Sequence, residues 1–350
     1  MKETIESVVG FDIGDRRIEV CVVSLRGGRV LRREKLATQR EAVESWLRCE
    51  PRSRIVMETG THAPWIARAA QAAGHEVIVA DARTVKLITQ SMKKTDRRDA
   101  ELLARLGRSD MALLRPAHVR SEATQRQRAL LRLRDALVRA RSLQINALRG
   151  VMKTDGRRLP ACSAEAFPRT AWEAMDADWR ALTRPMLRAI LVLSRQIRQY
   201  DRRLEEIAAR EHGEAVARVG QVAGVGTLTA LAVVLAVEDP RRFRSGRQMS
   251  AYLGLVPRRS QSGEKDPNLG ISKEGDAYAR RLLVSAAHYV LERGPDTDLK
   301  RWGLALEIRW GPKNRKRAAV AVARKLAVLL HRLWVDGSTY EPLRAATVAA

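Results

Sequence analysis

The sequence predicts an α/β plus α fold class: a mixed α/β domain at the N-terminus, a central helical region, and a mainly helical C-terminal region. Three observations carry this. Strand-like and helix-like segments alternate as far as about Leu106. Beyond Pro116, apolar residues recur at alternating steps of three and four. After Gly213, glycines and prolines punctuate short apolar helices.

In order, Ser7–Phe11 and Ile18–Val23 are rich in apolar and β-branched residues, with the turn-prone Gly14-Asp15 between them, and Arg29–Leu31 is a third short candidate strand. That is an antiparallel opening. A helix around Glu41–Arg48, a strand Arg54–Met57, a helix Pro64–Ala73 stopped by Gly74, and a strand Glu76–Ala80 follow. Helical stretches at Ala82–Gln90 and from about Asp96 to Leu106 complete the order βββαβαβα, which is that of a ribonuclease-H-like sheet with its first strand central.

The central region carries two heptad seams, Leu130, Leu133, Leu137, Ala140, Gln144, Ala147, Val151 and then Met186, Ile190, Leu193, Ile197, Tyr200, Leu204, Ile207. They predict a basic coiled-coil region that pairs within or between chains. The expected domains are residues 1–112, 113–212 and 213–350.

The charge balance narrows the function. With 65 Lys and Arg against 40 Asp and Glu, the 350-residue chain has a formal net charge of +25, and a polyanion partner follows. Arginine dominates, and its planar fork suits paired phosphate oxygens. No apolar run is long enough to span a bilayer and no signal peptide is evident, so nucleic acid is favoured over membrane and the cytoplasm is the expected compartment. Cys21, Cys49 and Cys162 lack disulfide or zinc-site spacing.

Asp12 falls at the end of the first strand and Glu58 just past the fourth, which are neighbours in such a sheet. Asp96 and Asp99, three apart at a helix start, share a face. Singly, each has an ordinary reading as a turn residue, a strand end, or an N-cap and its dipole partner. Together, four carboxylates in a basic protein suit two Mg²⁺ ions and phosphodiester chemistry. In the C-terminal region, Gly224-Val225-Gly226 between apolar helical stretches has the form of a helix-hairpin-helix turn, or equally of a plain packing corner. The cluster Lys313, Arg315, Lys316, Arg317, Arg324 and Lys325 is either a non-specific nucleic-acid surface or a solvated face.

Read whole, Val9-Gly10-Phe11-Asp12-Ile13-Gly14, Met57-Glu58-Thr59-Gly60 and Lys94-Thr95-Asp96-Arg97-Arg98-Asp99-Ala100 resemble the DEDD transposases of the IS-one-ten family, relatives of the Piv DNA invertases. Ala251-Tyr252-Leu253-Gly254-Leu255-Val256-Pro257, Ser260-Gln261-Ser262-Gly263 and Ile271-Ser272-Lys273-Glu274-Gly275 continue the resemblance across almost the whole chain. It departs at Ala80-Asp81-Ala82, where Asn-Pro is commoner, and at Asp276, where Asn is more usual. The resemblance implies a RuvC-like N-terminal domain whose metal acids are Asp12, Glu58, Asp96 and Asp99, and a C-terminal domain with Ser262 as nucleophile, Ser260 and Ser245 being the residues confusable with it. It implies phosphate contacts at Lys273, Arg280 and Arg281; the helical region adds Arg128 and Arg132, and the hairpin adds Gly224 and Gly226.

The function expected is that of an insertion-sequence transposase or site-specific recombinase, guided by a structured RNA, acting on donor and target DNA as a dimer or tetramer whose site is completed between protomers. Two alternatives stay open. One is a RuvC-like metal nuclease or Holliday-junction resolvase using water as nucleophile, and the other is a non-catalytic nucleic-acid scaffold.

Overall fold

A five-stranded sheet organises the first part of the chain. The computed structural model describes residues 4–83, 85, 96–109, 111–258 and 269–344, in two units, Met1–Glu122 and Ala123–Ala350. The first contains β1 (Ser7–Ile13), β2 (Arg17–Ser24), β3 (Val30–Ala37), α1 (Arg40–Cys49), β4 (Arg54–Glu58), α2 (Ala63–Ala72), β5 (Glu76–Ala80) and α3 (Asp96–Arg108). The strand order is β3-β2-β1-β4-β5, with β1 central. β2 runs antiparallel to it and β4 parallel. The expected helical stretch Ala82–Gln90 and the Lys93-Lys94-Thr95 segment lie largely outside the described residues.

Both faces of β1 are covered, which is why Ser7–Phe11 reads as an unbroken apolar run. Val9, Phe11, Ile55 and Met57 pack with Val43 and Leu47 of α1 and Ile66 of α2. On the opposite face, Val8, Val56 and Ile78 pack with Leu103 of α3.

β3 is longer than the expected Arg29–Leu31. Its extension, Arg32–Ala37, opens with Arg32-Arg33-Glu34-Lys35, charges that suppress the apolar signal but suit an edge strand. They pair with neighbours: Arg32 with Glu50, Arg33 with Glu101 at 2.6 Å, Lys35 with Glu19 at 3.0 Å, and the Trp46 indole N–H donates to Glu34 at 2.7 Å.

The second unit is helical: α4 (Glu122–Thr154), α5 (Phe167–Glu173), α6 (Ala177–Arg210), α7 (Gly213–Val219), α8 (Thr227–Val237), α9 (Gly246–Tyr252), α10 (Ala277–Glu292), α11 (Asp298–Trp310) and α12 (Arg315–Asp336). α4 and α6 lie antiparallel. Gln127 donates to Glu211 at 2.6 Å, Arg134 to Asp201 at 2.5 Å and Arg141 to Ser194 at 3.2 Å, so one sequence rises as the other falls.

On α6 the expected seam is the buried one over most of its length, with Ile190, Ile197, Leu204 and Ile207 inside and Met186 exposed. On α4 it is displaced. The buried stripe is Thr124, Gln127, Leu131, Asp135, Arg141, Ile145, Leu148 and Met152, one position beyond the expected set, while Leu133 and Val151 are 51% and 48% exposed. The polar members of the true stripe broke its apolar pattern, and their partners on α6 and α10 explain how they can be buried.

The remaining helices close around α8, which is buried on all sides from Ala230 to Val237. Among the described residues no helix is long and apolar enough to cross a membrane.

Candidate active site

Three of the four acids share one end of one sheet face. Phe11 and Met57 are the last paired residues of the parallel β1/β4 ladder, and Asp12 and Glu58 each follow by one position. With a side-chain period of two, they point away from the face holding Phe11 and Met57, toward α3. The direction of α3 follows from two glycines. A Cβ at Gly10 would lie 1.9 Å from the Ala100 carbonyl oxygen, and one at Gly107 would lie 2.3 Å from Val56. The helix therefore runs back along the sheet with its first turn, carrying Asp99, at the end where Asp12 and Glu58 stand. All three are partly buried. Asp96 is the first residue of α3, and its side chain lies outside the described residues.

Neighbouring bonds fix the strand ends. The Thr59 N–H donates to the Ala80 carbonyl at 2.9 Å, and the Ala82 N–H to the Thr59 hydroxyl at 3.3 Å. Asp81, at the departure from Asn-Pro, accepts from the Arg83 N–H at 2.8 Å, the capping role an Asn side chain also fills. Among the described residues no three acidic, histidine or cysteine side chains form a cluster poised on a metal. The donor set is nonetheless all carboxylate oxygen, the chemistry a hard divalent cation takes.

In the second unit, Ser260, Ser262 and Gly263 lie outside the described residues, but the base of their segment is defined. Pro257 and Ile271 form an antiparallel bridge, with the Arg258 N–H donating to Gly270 at 3.0 Å and the Ser272 N–H to Val256 at 2.8 Å. Gly254 and Gly275 have φ of +71° and +69°, and each approaches the other limb: a Cβ at Gly275 would lie 1.9 Å from the Tyr252 carbonyl oxygen. Lys273 is exposed with φ +57°. Ser245 is the residue before α9 and stands apart from this base in the chain.

Most of the expected phosphate-binding arginines have protein partners. Arg280 donates to the Leu253 carbonyl at 3.1 Å and the Glu274 carbonyl at 2.6 Å, tying the two limbs together, and burial lowers its pKa. Arg281 pairs with Asp135, and Arg128 with Asp276. Arg132 is exposed and adds positive field at Asp276. In the hairpin, Gly224 has φ +92° and packs against α10, its Cβ position 2.9 Å from Tyr289, while Gly226 is exposed at the N-terminus of α8.

Asp276 caps α10, accepting from the Tyr278 and Ala279 N–H groups at 2.9 Å each. Burial pushes its pKa up, but the Ala279 N–H and the Arg128 guanidinium outweigh this and leave it below the ordinary value. A depressed folded pKa contributes stability that is present above the unfolded value, about 4, and is lost as pH falls through the folded one. The midpoint of thermal unfolding should therefore fall more steeply in acid for the native chain than for Asp276→Asn, which keeps the cap and loses the charge. Parallel slopes in melts followed by circular dichroism would refute this.

A basic groove beside the same base escaped the sequence analysis in part. It is a cavity of about 910 Å³ lined by Trp302, Leu306 and Trp310 of α11, Lys316, Arg317, Arg324 and Lys325 of α12, and Leu269, Gly270, Ile271 and Lys273. Lys325 lies over the Trp302 ring at 4.2 Å and Arg317 over Trp310 at 4.7 Å. The cations were evident as a cluster. The tryptophans were not, although their spacing of four and four with Leu306 places all three on one helix face.

This arrangement, acids on one unit and the braced base of residues 254–258 and 269–275 on the other, can be compared with known proteins. Residues 9–154 match the DEDD transposase model of IS110, and residues 216–300 match the model described as "Transposase IS116/IS110/IS902 family". The transposase for insertion sequence element IS1111A of Coxiella burnetii is 35% identical over 71% of this chain and 68% of its own length. The chain belongs to the IS110 family of transposases. A probable family 20 transposase of Pseudomonas aeruginosa is 30% identical over 96% of this transposase and 99% of its own length. The pilin gene-inverting protein of Moraxella bovis is 24% identical over 79% and 77% respectively. As a member of this family, the transposase acts on DNA.

Proposed function

We propose that this transposase cuts and rejoins DNA through two sets of residues. Asp12, Glu58, Asp96 and Asp99 would hold Mg²⁺, two ions in a RuvC-like site, and Ser262 would act as nucleophile. The metal, when bound, would neutralise charge developing on a backbone phosphate. The Ser262 hydroxyl gives up its proton and bonds to phosphorus, a bridging P–O bond breaks, and the leaving oxygen takes up a proton. Attack by a hydroxyl of the new DNA end on the phosphoserine reverses these changes and frees the serine.

The observation that carries this reading is the convergence of Asp12, Glu58 and the first turn of α3 at one end of one face, in a chain of this family. The rest extends it. We assign residues 1–112 to the acidic domain, 113–212 to a basic coiled-coil region and 213–350 to the serine-bearing domain, with Gly224 and Gly226 of a helix-hairpin-helix-like element contacting phosphate. A structured RNA from the element would choose the sites, read through shape and backbone by the basic helices. The protein would work as a dimer or tetramer in the bacterial cytoplasm, on the nucleoid.

The test is recombination between supercoiled donor and target plasmids with the element's non-coding flank supplied. Asp12→Ala and Ser262→Ala are each expected to lower recombination about a thousandfold or more, with a protein–DNA adduct lost in the second. Ser262→Ala with full activity and Asp12→Ala without it would establish the water-nucleophile nuclease instead. Full activity in both would leave a scaffold.

A further inference from the structure

We infer that the groove between α11 and α12 is the seat of an unpaired DNA strand, its bases lying against Trp302 and Trp310 and its phosphates along the cations of α12. This rests on the proposed strand-transfer reading and names where the strand goes.

Two features of the groove select that occupant. Its floor is apolar and aromatic, with Trp302, Leu306 and Trp310 on one helix opposite Val320 and Ala321 on the other. Its rim is cationic, and among the described lining residues none is acidic. A ligand that is both polyanionic and rich in flat apolar surface fits both halves, and a single nucleic-acid strand is such a ligand, because every base offers a stacking face. A duplex hides those faces and would meet only the rim.

The spacing along α12 supports a strand lying lengthwise. Lys316 and Arg317 are followed by Val320 and Ala321, then by Arg324 and Lys325, then by Val328, so cationic and apolar turns alternate. The two cationic pairs are eight residues apart, about 12 Å along the helix. The Lys325 ammonium and Arg317 guanidinium over the indole rings keep the tryptophans in place and put positive charge where a phosphate beside a stacked base would lie. Ile271 and Lys273, on the far limb of the base that carries the serine segment, line the same groove. A strand seated there would pass beside that base, which favours DNA as the strand.

The test is binding of a labelled oligothymidylate to the full chain in chelator, followed by fluorescence anisotropy, so that no strand is cut. The readout is independent of Ser262, and a failed serine mechanism leaves it intact. Trp302→Ala should weaken binding about tenfold, with Trp302→Phe retaining most of it. Lys316→Gln with Arg317→Gln, both at exposed positions, should weaken it and flatten its salt dependence. Should Trp302→Ala fail to fold, the charge variant and Trp302→Phe decide. The inference is overturned if folded variants bind like the native chain, or if a duplex of equal length binds as tightly with the same sensitivity. It is also overturned if oligouridylate is preferred through these residues, or if the substitutions change only the oligomeric state.

Discussion

Gly10→Ala is expected to abolish recombination and to lower the melting temperature of the N-terminal unit by about 10 °C. The added methyl would sit 1.9 Å from the Ala100 carbonyl oxygen and 2.7 Å from the Ala104 N–H nitrogen, both backbone atoms of α3. No side-chain rotation relieves such a contact, so the helix must lift from the sheet. Val8, Val56, Ala100, Leu103 and Ala104 are all nearly inaccessible to solvent, and lifting the helix loosens every one of them. Overpacking of this kind costs about 3 kcal/mol, which converts to the stated shift for a unit of this size. The functional loss exceeds the stability loss, because Asp99 precedes Ala100 on the displaced helix. Gly150→Ala is the control: its Cβ meets nothing within 4 Å on α4, and alanine favours a helix. If Gly10→Ala melts and recombines like the native protein, α3 does not press on β1 as described.

That contact also marks how far the sequence could be read. The strand order, the central β1 and the α3 helix followed from apolar runs and turn residues, because each lies in a core where burial enforces the pattern. The closeness of Gly10 to α3 did not follow, since a glycine in a strand is ambiguous until its neighbour is known. β3 was cut short because an edge strand tolerates Arg32 to Lys35 on positions that no core demands. The α4 seam was misplaced by one residue for a related reason. Asp135 and Arg141 are buried through Arg281 and Ser194, partners distant in sequence, while Leu133 and Leu143 face outward. At the candidate site, the strand pattern put Asp12 and Glu58 at neighbouring strand ends, and the α12 cations stood out as a cluster. Arg128, Arg280 and Arg281 read as phosphate ligands, and their hydrogen bonds to Asp276, to two carbonyls and to Asp135 were not legible, because no local pattern shows those partners.

Gly275→Ala is expected to reduce strand transfer about a hundredfold while leaving the N-terminal unit's melting unchanged. Gly275 has φ +69°, where an alanine is strained by about 1 kcal/mol, and its Cβ would lie 1.9 Å from the Tyr252 carbonyl oxygen. Gly254 opposite makes the reciprocal approach, 2.2 Å from the Glu274 carbonyl oxygen, so neither limb can yield toward the other. The strain is relieved only by opening the base, which stretches the Arg280 hydrogen bonds to Leu253 and Glu274 and shifts both ends of the 259–268 segment. A displacement near 1 Å at the proposed nucleophile, Ser262, would be enough for the stated loss. Arg280→Ala should reproduce part of the defect by removing the same tie without adding bulk. Gly270→Ala should not, because its Cβ meets open space within the same base. Plasmid recombination assays of the three variants separate the outcomes, and a native rate for Gly275→Ala would mean that the braced base has no bearing on catalysis.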